Sequence, residues 1–280
     1  MQGMTGRGGD KAGKEITVTA FQSGFAALFW LLFMPLLCCR PAAGLDPSHY
    51  SVPVKELTPA AFSDESARYL LTSSDENFSL PDTPFQKVLE KKTPAGGRSV
   101  VLQTGRIPGS SPAPGPQYTA DTLLLNLRSP EIRELRNRFP GSGDRIPRVE
   151  GFVDRHINRK VIGIPMIPAR EIYRNRSGDC TEHTVLAVAI LRSLGVPARA
   201  VAGMVLVREF EGAHNVFVFH MWAEAYQGGR WHLVDATSPG KKHPGRYIAF
   251  CYHHLKTPMP LNYLKASASI KNLRVVYLRK

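Results

Sequence analysis

The feature that most constrains this chain is one long apolar helix. Residues 181–195 read TEHTVLAVAILRSLG and are apolar on nearly every face from Val185 to Leu191. A helix that is apolar all round is buried in a protein core. Asp179 and Glu182 are spaced as a capping pair at its start, and a Gly-Val-Pro sequence at 195–197 ends it. The segment therefore predicts a central helix around which the rest of the domain packs.

Three apolar segments after this helix predict β-strands. They cover residues 198–207, 215–227 and 230–237. The pair Gly228-Gly229 between the last two is typical of a hairpin turn. A buried helix followed by antiparallel strands predicts an α+β fold.

Composition places the chain among ordinary globular proteins. It has 280 residues, 43% of them hydrophobic and 21% charged. These values exclude a disordered chain, a collagen and a polytopic membrane protein. Lys and Arg outnumber Asp and Glu by 36 to 23 but are spread evenly, without a nucleic-acid-binding motif. We therefore expect no nucleic-acid partner, and attraction to anionic envelope polymers or lipid surfaces instead.

The N-terminus predicts an export segment. Residues 16–39 carry no charged side chain, and residues 25–37 form a dense apolar run. Small residues then allow cleavage after Gly44, which is typical of a signal peptide. An uncleaved membrane anchor is the alternative, because the segment is long enough to span about 30 Å of hydrocarbon. In either case we expect residues 1–44 to be the leader, the catalytic domain to be periplasmic or extracellular, and membrane contact to be made only through this segment.

The rest of the chain divides into two unequal parts. Residues 45–120 predict a small N-terminal region that ends in a Pro/Gly-rich linker over 93–118, with one short strand inside it at Ser99 to Gln103. Residues 121–280 predict the catalytic domain. Its first elements are a helix over 121–138, interrupted by Pro130, and an amphipathic helix from Val149 to Ile157.

Three residues of the second part carry the chemistry. Cys180 lies at the start of the buried helix, where the partial positive charge of the helix favours thiolate over thiol. His220 lies on a predicted strand, and Asp235 lies on the strand after the hairpin. The hairpin places those two strands side by side, so Asp235 can reach one nitrogen of the His220 imidazole and fix its tautomer. This pattern predicts a nucleophile, a base and a residue that orients the base.

Two motifs of this sequence resemble those of the transglutaminase-like superfamily. They are GDCTEHTVLAVAILRSLGVPARAV and HMWAEAYQGGRWHLVDAT, and the resemblance covers about residues 146–240. It implies a papain-like α+β core, no cofactor, and a catalytic triad of Cys180, His220 and Asp235. It also implies that Trp222, Tyr226 and Trp231 are framework residues around the triad.

One departure from the family bears on the reaction. Calcium-dependent cross-linking members carry a tryptophan upstream of the cysteine that helps to stabilise the oxyanion, whereas residues 140–179 contain none. The chain also lacks the acidic clusters that Ca²⁺ sites require. We therefore expect hydrolysis of an amide or peptide bond in a protein or peptide substrate. Acyl transfer to an amine and a catalytically silent envelope module are the alternatives. The backbone N–H of Cys180 is the one oxyanion donor that the sequence suggests.

Other cysteines and histidines allow a further alternative. Cys180 and His183 lie three residues apart on the helix, with His214 and His220 downstream, but the tight paired spacing of a zinc site is missing. We therefore expect no metal, and expect His183 to pack beside the site. Cys251, the other cysteine outside the leader, is expected to be a buried thiol, although a pairing with Cys180 is open. Three further histidines are expected in surface loops: His243, His253 and His254.

Overall fold

A computed structural model of the chain describes residues 51–279 except residues 142 and 162–165. The predicted leader over residues 1–44 lies outside the described residues. The described strands are β1 (Ser51–Lys55), β2 (Ser66–Ser73), β3 (Gln86–Lys92), β4 (Arg98–Gly105), β5 (Arg159–Lys160), β6 (Ser177–Gly178), β7 (Ala198–Phe210), β8 (Ala213–Gln227), β9 (Arg230–Val234), β10 (Tyr247–His253) and β11 (Leu273–Leu278). The described α-helices are α1 (Pro130–Asn137), α2 (Arg145–His156), α3 (Ala169–Asn175), α4 (Cys180–Ser193) and α5 (Leu261–Ser269).

Nine of the strands form one sheet. Their order is β10-β7-β8-β1-β11-β2-β4-β3, and β9 pairs with β8 in addition. The pairs are antiparallel except β1 with β11, which is parallel. The two-residue strands β5 and β6 form a separate parallel pair, and β6 lies directly before α4. Helices packed with a mainly antiparallel sheet confirm the predicted α+β class.

Helix α4 is the buried helix that the sequence predicts. Every residue from Val185 to Leu191 is at most 1% exposed. This apolar surface packs in one cluster with α1, α2 and α3 and with the face of β8 that carries Met221, Ala223 and Ala225. Because α4 is enclosed on nearly every side, its N-terminus is held in a fixed place relative to β8.

Strand β8 has an interruption in its pairing that matters for the site. It is paired with β7 along one edge, over residues 213–225. On the other edge β1 pairs with residues 216–218 and β9 pairs with residues 223–227. Residues 219–222 therefore lie in a gap between β1 and β9, which we call the β8 gap.

Most of the elements agree with the sequence-based expectations, and the differences have physical reasons. The short strand at 99–103 is confirmed as part of β4. Helix α1 begins at Pro130, whereas the sequence predicted a helix already from residue 121; proline fits the first turn of a helix because no backbone donor is needed there. Ser129 caps this helix by accepting a hydrogen bond from the N–H of Ile132.

The strands before residue 106 belong to the same sheet as the strands around the site. Leu45–Lys280 form one compact unit, and β2 and β4 contribute the fully buried side chains Tyr69, Leu71 and Leu102 to its second hydrophobic cluster. The division that the sequence suggests near residue 120 does not coincide with a break in this sheet. Within the described residues, no helix is long and apolar enough to cross a membrane.

Candidate active site

Cys180 is the first residue of α4, and the turn before it is tightly built. Asp179 caps the helix by accepting the backbone N–H of Thr181 at 2.9 Å, and Glu182 accepts the backbone N–H of Asp179 at 3.0 Å. The predicted capping pair is therefore confirmed. Gly178 is required beside it, because a Cβ at this position would lie 2.3 Å from the Cβ of Glu182.

His220 lies in the β8 gap, and Asp235 directly follows the last residue of β9. The Nε2 atom of His220 lies 2.8 Å from Oδ2 of Asp235. Cys180 lines the same cavity as His220, and its side chain is close enough to raise the pKa of the imidazole. The structure therefore brings together the three residues that the sequence singles out.

Asp235 is held by further donors that sequence reasoning missed. The hydroxyl of Tyr247 donates to Oδ2 at 2.8 Å, and the hydroxyl and backbone N–H of Thr237 donate to Oδ1 at 2.6 and 3.1 Å. Burial alone would raise the pKa of Asp235. The charge of His220 and these hydrogen bonds outweigh burial and hold the pKa well below its usual range.

The backbone of Asp235 is also fixed. Its N–H donates to Oε1 of Glu150 at 2.7 Å, and Oε2 of Glu150 forms an ion pair with Lys242. Glu150 belongs to α2 and is 2% exposed. Because the carboxylate bridges a lysine and the strand end, α2 sets the position at which Asp235 leaves the sheet.

The same pairing changes the acid–base behaviour of His220. Burial opposes the charged imidazole and would lower its pKa. The carboxylate of Asp235 and the contact with Cys180 more than offset burial and raise the pKa of His220 to about 10. A buried imidazole at neutral pH is therefore held in its protonated form, which donates from both nitrogens.

Two other titratable groups lie next to the nucleophile. Burial, together with the nearby Asp179 carboxylate, raises the pKa of Glu182 to about 7. His183 places Nδ1 2.6 Å from the backbone oxygen of Asp179, and burial lowers its pKa, so its ring is neutral at neutral pH. As predicted, His183 packs beside the site.

A cavity of about 610 Å³ opens at this constellation. Cys180, His220 and Asp235 all line it, so the thiol and its partners face a volume large enough for a peptide segment. Tyr263 of α5 closes one side, and its ring contacts Phe219 edge-on at 5.5 Å. No tryptophan occurs among the described residues that line this cavity.

One of the four residues of the metal alternative, His214, lies apart from the other three. His214 lies six residues from His220 on β8, about 20 Å away at the rise of an extended strand. His214 pairs instead with Glu209 near the tip of the β7–β8 hairpin. Within the described ranges, no three His, Cys, Asp or Glu residues are grouped closely enough to hold a metal ion.

The aromatic residues named from the family motif have different surroundings. Trp222 stacks on His220 with ring centroids 6.2 Å apart and also contacts Tyr247 at 5.2 Å. Trp231 contacts Tyr226 and lies 3.8 Å from the guanidinium carbon of Arg199, away from the thiol. Trp222 thus supports the imidazole directly, whereas Trp231 packs on a buried ion pair of Arg199 with Glu224 and Tyr226 packs on Trp231.

Cys251 and His253 are both at least partly buried on β10. Cys251 is half-buried, and burial raises its pKa to about 11. Cys180 and Cys251, both in the described part of the chain, are not joined by a disulfide. The expectation that His253 lies in a surface loop is wrong: it is 2% exposed and accepts the backbone N–H of Leu255, because it ends β10 rather than following it.

Among the comparisons with known proteins, one family model matches the middle of this chain. The model of the transglutaminase-like superfamily matches residues 138–236. No curated protein matches the chain. Among solved structures, a candidate cysteine protease from Cytophaga hutchinsonii is 13% identical with a TM-score of 0.47, and the match covers 81% of this chain and 82% of the other.

Two further solved structures are similar at lower scores. The periplasmic domain of TgpA from Pseudomonas aeruginosa, bound to ethylmercury, is 17% identical with a TM-score of 0.42, covering 61% of this chain and 72% of its own. A transglutaminase from red sea bream is 10% identical with a TM-score of 0.34, covering 77% and 52%. The match of the family model confirms the resemblance seen in the sequence: residues 138–236 are similar to the core of the transglutaminase-like superfamily.

Proposed function

We propose that Cys180, His220 and Asp235 form a catalytic triad that cleaves an amide or peptide bond through an acyl-enzyme. The observation that carries this proposal is that Asp235 hydrogen-bonds with Nε2 of His220 at 2.8 Å while Cys180 lines the same cavity beside this imidazole. Cys180 also lies at a helix N-terminus. Nucleophile, base and orienting carboxylate are the parts that such chemistry needs.

The first half of the reaction forms a thioester. The imidazole of His220 already holds a proton at neutral pH, and the sulfur of Cys180 attacks the carbonyl carbon of the substrate as a thiolate. The resulting oxyanion is stabilised by backbone donors, of which the N–H of Cys180 at the start of α4 is one. His220 then gives its proton to the amide nitrogen, the C–N bond breaks, and the amine leaves.

The second half releases the acyl group. A water molecule gives a proton to His220, at the nitrogen that Asp235 does not engage, and attacks the thioester carbon. The C–S bond breaks, the sulfur leaves as a thiolate beside the protonated imidazole, and a carboxylic acid is released. Asp235 stays ionised throughout, because its four hydrogen bonds and the charge of His220 disfavour its protonation.

Acyl transfer to an amine uses the same triad and is the second candidate. It differs only in that an amine replaces water in the second half. Two observations favour hydrolysis: residues 140–179 contain no tryptophan, and the described lining of the cavity contains none either. The cavity therefore lacks the indole that the cross-linking members of the family place near the oxyanion.

One assay separates the candidates. The protein is incubated with a glutamine-containing protein substrate and a fluorescent primary amine. Release of ammonia or of new peptide termini without incorporation of the amine supports hydrolysis, and covalent incorporation supports transfer. If neither product forms and no acyl group becomes attached to Cys180, the third alternative, a catalytically silent module, is supported.

Single substitutions test the triad in the same assay. Cys180→Ala and His220→Ala should each reduce turnover by about a thousandfold or more, since members of a triad act as a unit. His214→Ala is the matched control, because this histidine lies on the same strand outside the cavity. A harmless His220→Ala together with an inactive His214→Ala would contradict the assignment.

We further propose that the domain acts outside the cytoplasm on a protein or peptide substrate of the cell envelope. The uncharged segment at 16–39 supports this proposal, and the surplus of Lys and Arg suits an anionic environment. Fractionation of cells that express the full chain tests the location. Recovery of the protein with the cytoplasmic fraction would contradict it.

A further inference from the structure

The β7–β8 hairpin carries apolar side chains beside the triad that the chemistry does not use. In the strand register, Gly203 lies opposite His220, Val205 opposite Val218, and Val207 opposite Val216. Opposed residues of an antiparallel pair share one face of the sheet, and alternate residues along a strand return to that face. The valines therefore lie on the same face as His220 and lead from it towards the tip of the hairpin.

These side chains form one wall of the cavity that contains the thiol. Val205, Val207, Phe210 and Val218 all line it, and we call them the apolar wall. Val205 and Val218, next to His220, are each 6% exposed, whereas Val207 and Phe210 are half-buried. The wall thus starts next to the imidazole and opens towards solvent at its far end.

The lining of the cavity also includes polar side chains. They are Asp154, Lys160, Asp179 and His183, which come from α2, from β5 and from the start of α4. The apolar wall is therefore one part of a lining of mixed chemistry. A peptide placed across Cys180 would present one of its side chains to the apolar wall.

One cation lies at the edge of the apolar wall, and three of its five N–H groups are already used. Arg246 donates from Nε and Nη2 to the backbone oxygen of Leu206 at 2.9 and 2.7 Å, and from Nη1 to that of Lys241 at 3.3 Å. An acidic substrate side chain would reach only the two remaining N–H groups while losing its own water. The wall is thus better suited to an apolar side chain, which gains free energy when apolar surface leaves water.

We propose that the apolar wall binds an aliphatic or aromatic side chain of the substrate, on a residue next to the amide bond that Cys180 attacks. This inference rests on the proposed function, because that function places the amide at the thiol. It gives the substrate class of the enzyme: peptides with a large apolar residue beside the scissile bond.

Binding to the Cys180→Ala variant tests the inference without turnover. The probes are blocked pentapeptides of alanine whose central residue is Leu, Phe, Ala, Glu or Lys. The central residue has an amide on either side, so both placements relative to the site are sampled. We expect the Leu and Phe peptides to bind about tenfold or more tightly than the Glu and Lys peptides in titration calorimetry.

Two variants locate the preference on the wall. Val207→Asp, in the Cys180→Ala background, should remove most of the advantage of the Leu peptide, and Phe210→Ala should reduce it without adding a charge. Val276→Asp is the matched control: this half-buried valine lies on β11 and does not line the cavity. Circular dichroism verifies the fold of each variant.

The outcomes separate this inference from the proposed function. Equal affinities across the series, or a preference for the Glu peptide that Arg246→Gln abolishes, would overturn the inference. A preference for Leu that Val276→Asp lowers as much as Val207→Asp would overturn it as well. If the Leu peptide is preferred but the wild-type protein neither cleaves it nor forms a thioester, the apolar wall stands and the catalytic proposal fails.

Discussion

At the scale of single residues, the two cysteines outside the leader have opposite surroundings. Cys180 faces a cavity beside His220, whose imidazole is protonated at neutral pH. Cys251 lies in the apolar interior of β10, where burial disfavours its thiolate. Since the thiolate is the reactive form of cysteine, reactivity should differ between the two.

Alkylation at neutral pH measures this difference. We expect iodoacetamide to label Cys180 about tenfold or more faster than Cys251 in the folded protein, because Cys180 faces the cavity beside a protonated imidazole, whereas burial raises the pKa of Cys251 to about 11. Mass spectrometry of peptides after timed labelling gives both rates. Cys251→Ala should leave the rate at Cys180 unchanged, and equal, slow labelling of both would contradict the proposed role of Cys180.

The charge of Asp235 should be visible in the titration of His220. In Asp235→Asn the attraction is lost while the burial of the ring remains, so the pKa of His220 should fall from about 10 to below its ordinary value near 6.5. Imidazole NMR signals followed with pH measure this change. Asp154→Asn, in the same cavity, is the matched control and should leave the His220 titration in place.

The same pair makes stability depend on pH. The folded-state pKa of His220 lies above its unfolded value, so its contribution is complete below about pH 6.5 and is lost as pH rises through about 10. Asp235 has a lowered pKa, and its contribution is present above its unfolded value near 3.9. Wild-type protein should therefore lose stability relative to Asp235→Asn between about pH 6.5 and 10, and a constant difference would contradict the ion pair.

At the scale of elements, the start of α4 depends on a carboxylate that is costly to ionise. Glu182 is completely buried, accepts the N–H of Asp179 at 3.0 Å, and has a pKa raised to about 7. Because the folded-state pKa exceeds the unfolded value, the ionised form destabilises the fold. Its protonated form is favoured below about pH 4.5, and this advantage is lost as pH rises through about 7.

Glu182→Gln should remove this dependence. The amide oxygen can still accept the N–H of Asp179, while the repulsion between the two carboxylates disappears. Urea unfolding should show the wild type losing stability from pH 5 to pH 8 relative to the variant. Glu171→Gln on α3, a half-buried acid in another helix's first turn, is the control. A stability difference between the wild type and the variant that stays constant from pH 5 to pH 8 would contradict the prediction.

The elements also show what the sequence could and could not predict about the site. The sequence could predict the roles of Cys180, His220 and Asp235, because α4 and the β8–β9 hairpin are continuous in sequence and follow clear periodic patterns. It could not predict the role of Tyr247, because this residue reaches Asp235 from β10 across the sheet. Thr237 left a faint signal, since Asp followed two residues later by Thr is typical of a turn in which the Asp side chain accepts local donors. No sequence signal pointed to Glu150, because a single acidic residue in an amphipathic helix is usually exposed.

At the scale of the whole molecule, the strands before residue 106 are tied to the strand that carries His220. β1 pairs with β8 next to the β8 gap and with β11 on its other edge, and β11 in turn pairs with β2. Sequence patterns did not predict these pairings, because they join segments more than 150 residues apart and short alternating strands carry little information about their partners.

Truncation tests how far the molecule depends on this sheet. A chain that starts at residue 121 should fail to unfold cooperatively, because it lacks β1 to β4 and would expose the apolar faces of β8 and β11 that they cover. A chain that starts at residue 45 should unfold cooperatively. Thermal melts by circular dichroism compare the two, and a sharp melt of the shorter chain would show that residues 121–280 are an independent domain.

The order of the site residues along the chain has a consequence for synthesis. Cys180 precedes β8, β9 and β10, so it leaves the ribosome before the histidine, the aspartate and the tyrosine that surround it in the folded protein. On the proposed function, the thiol has no base until the β8 gap has formed and Asp235 has been fixed beside it. We therefore expect the nascent chain to be protected from the chemistry proposed for it, with the thiol becoming reactive only when folding is nearly complete.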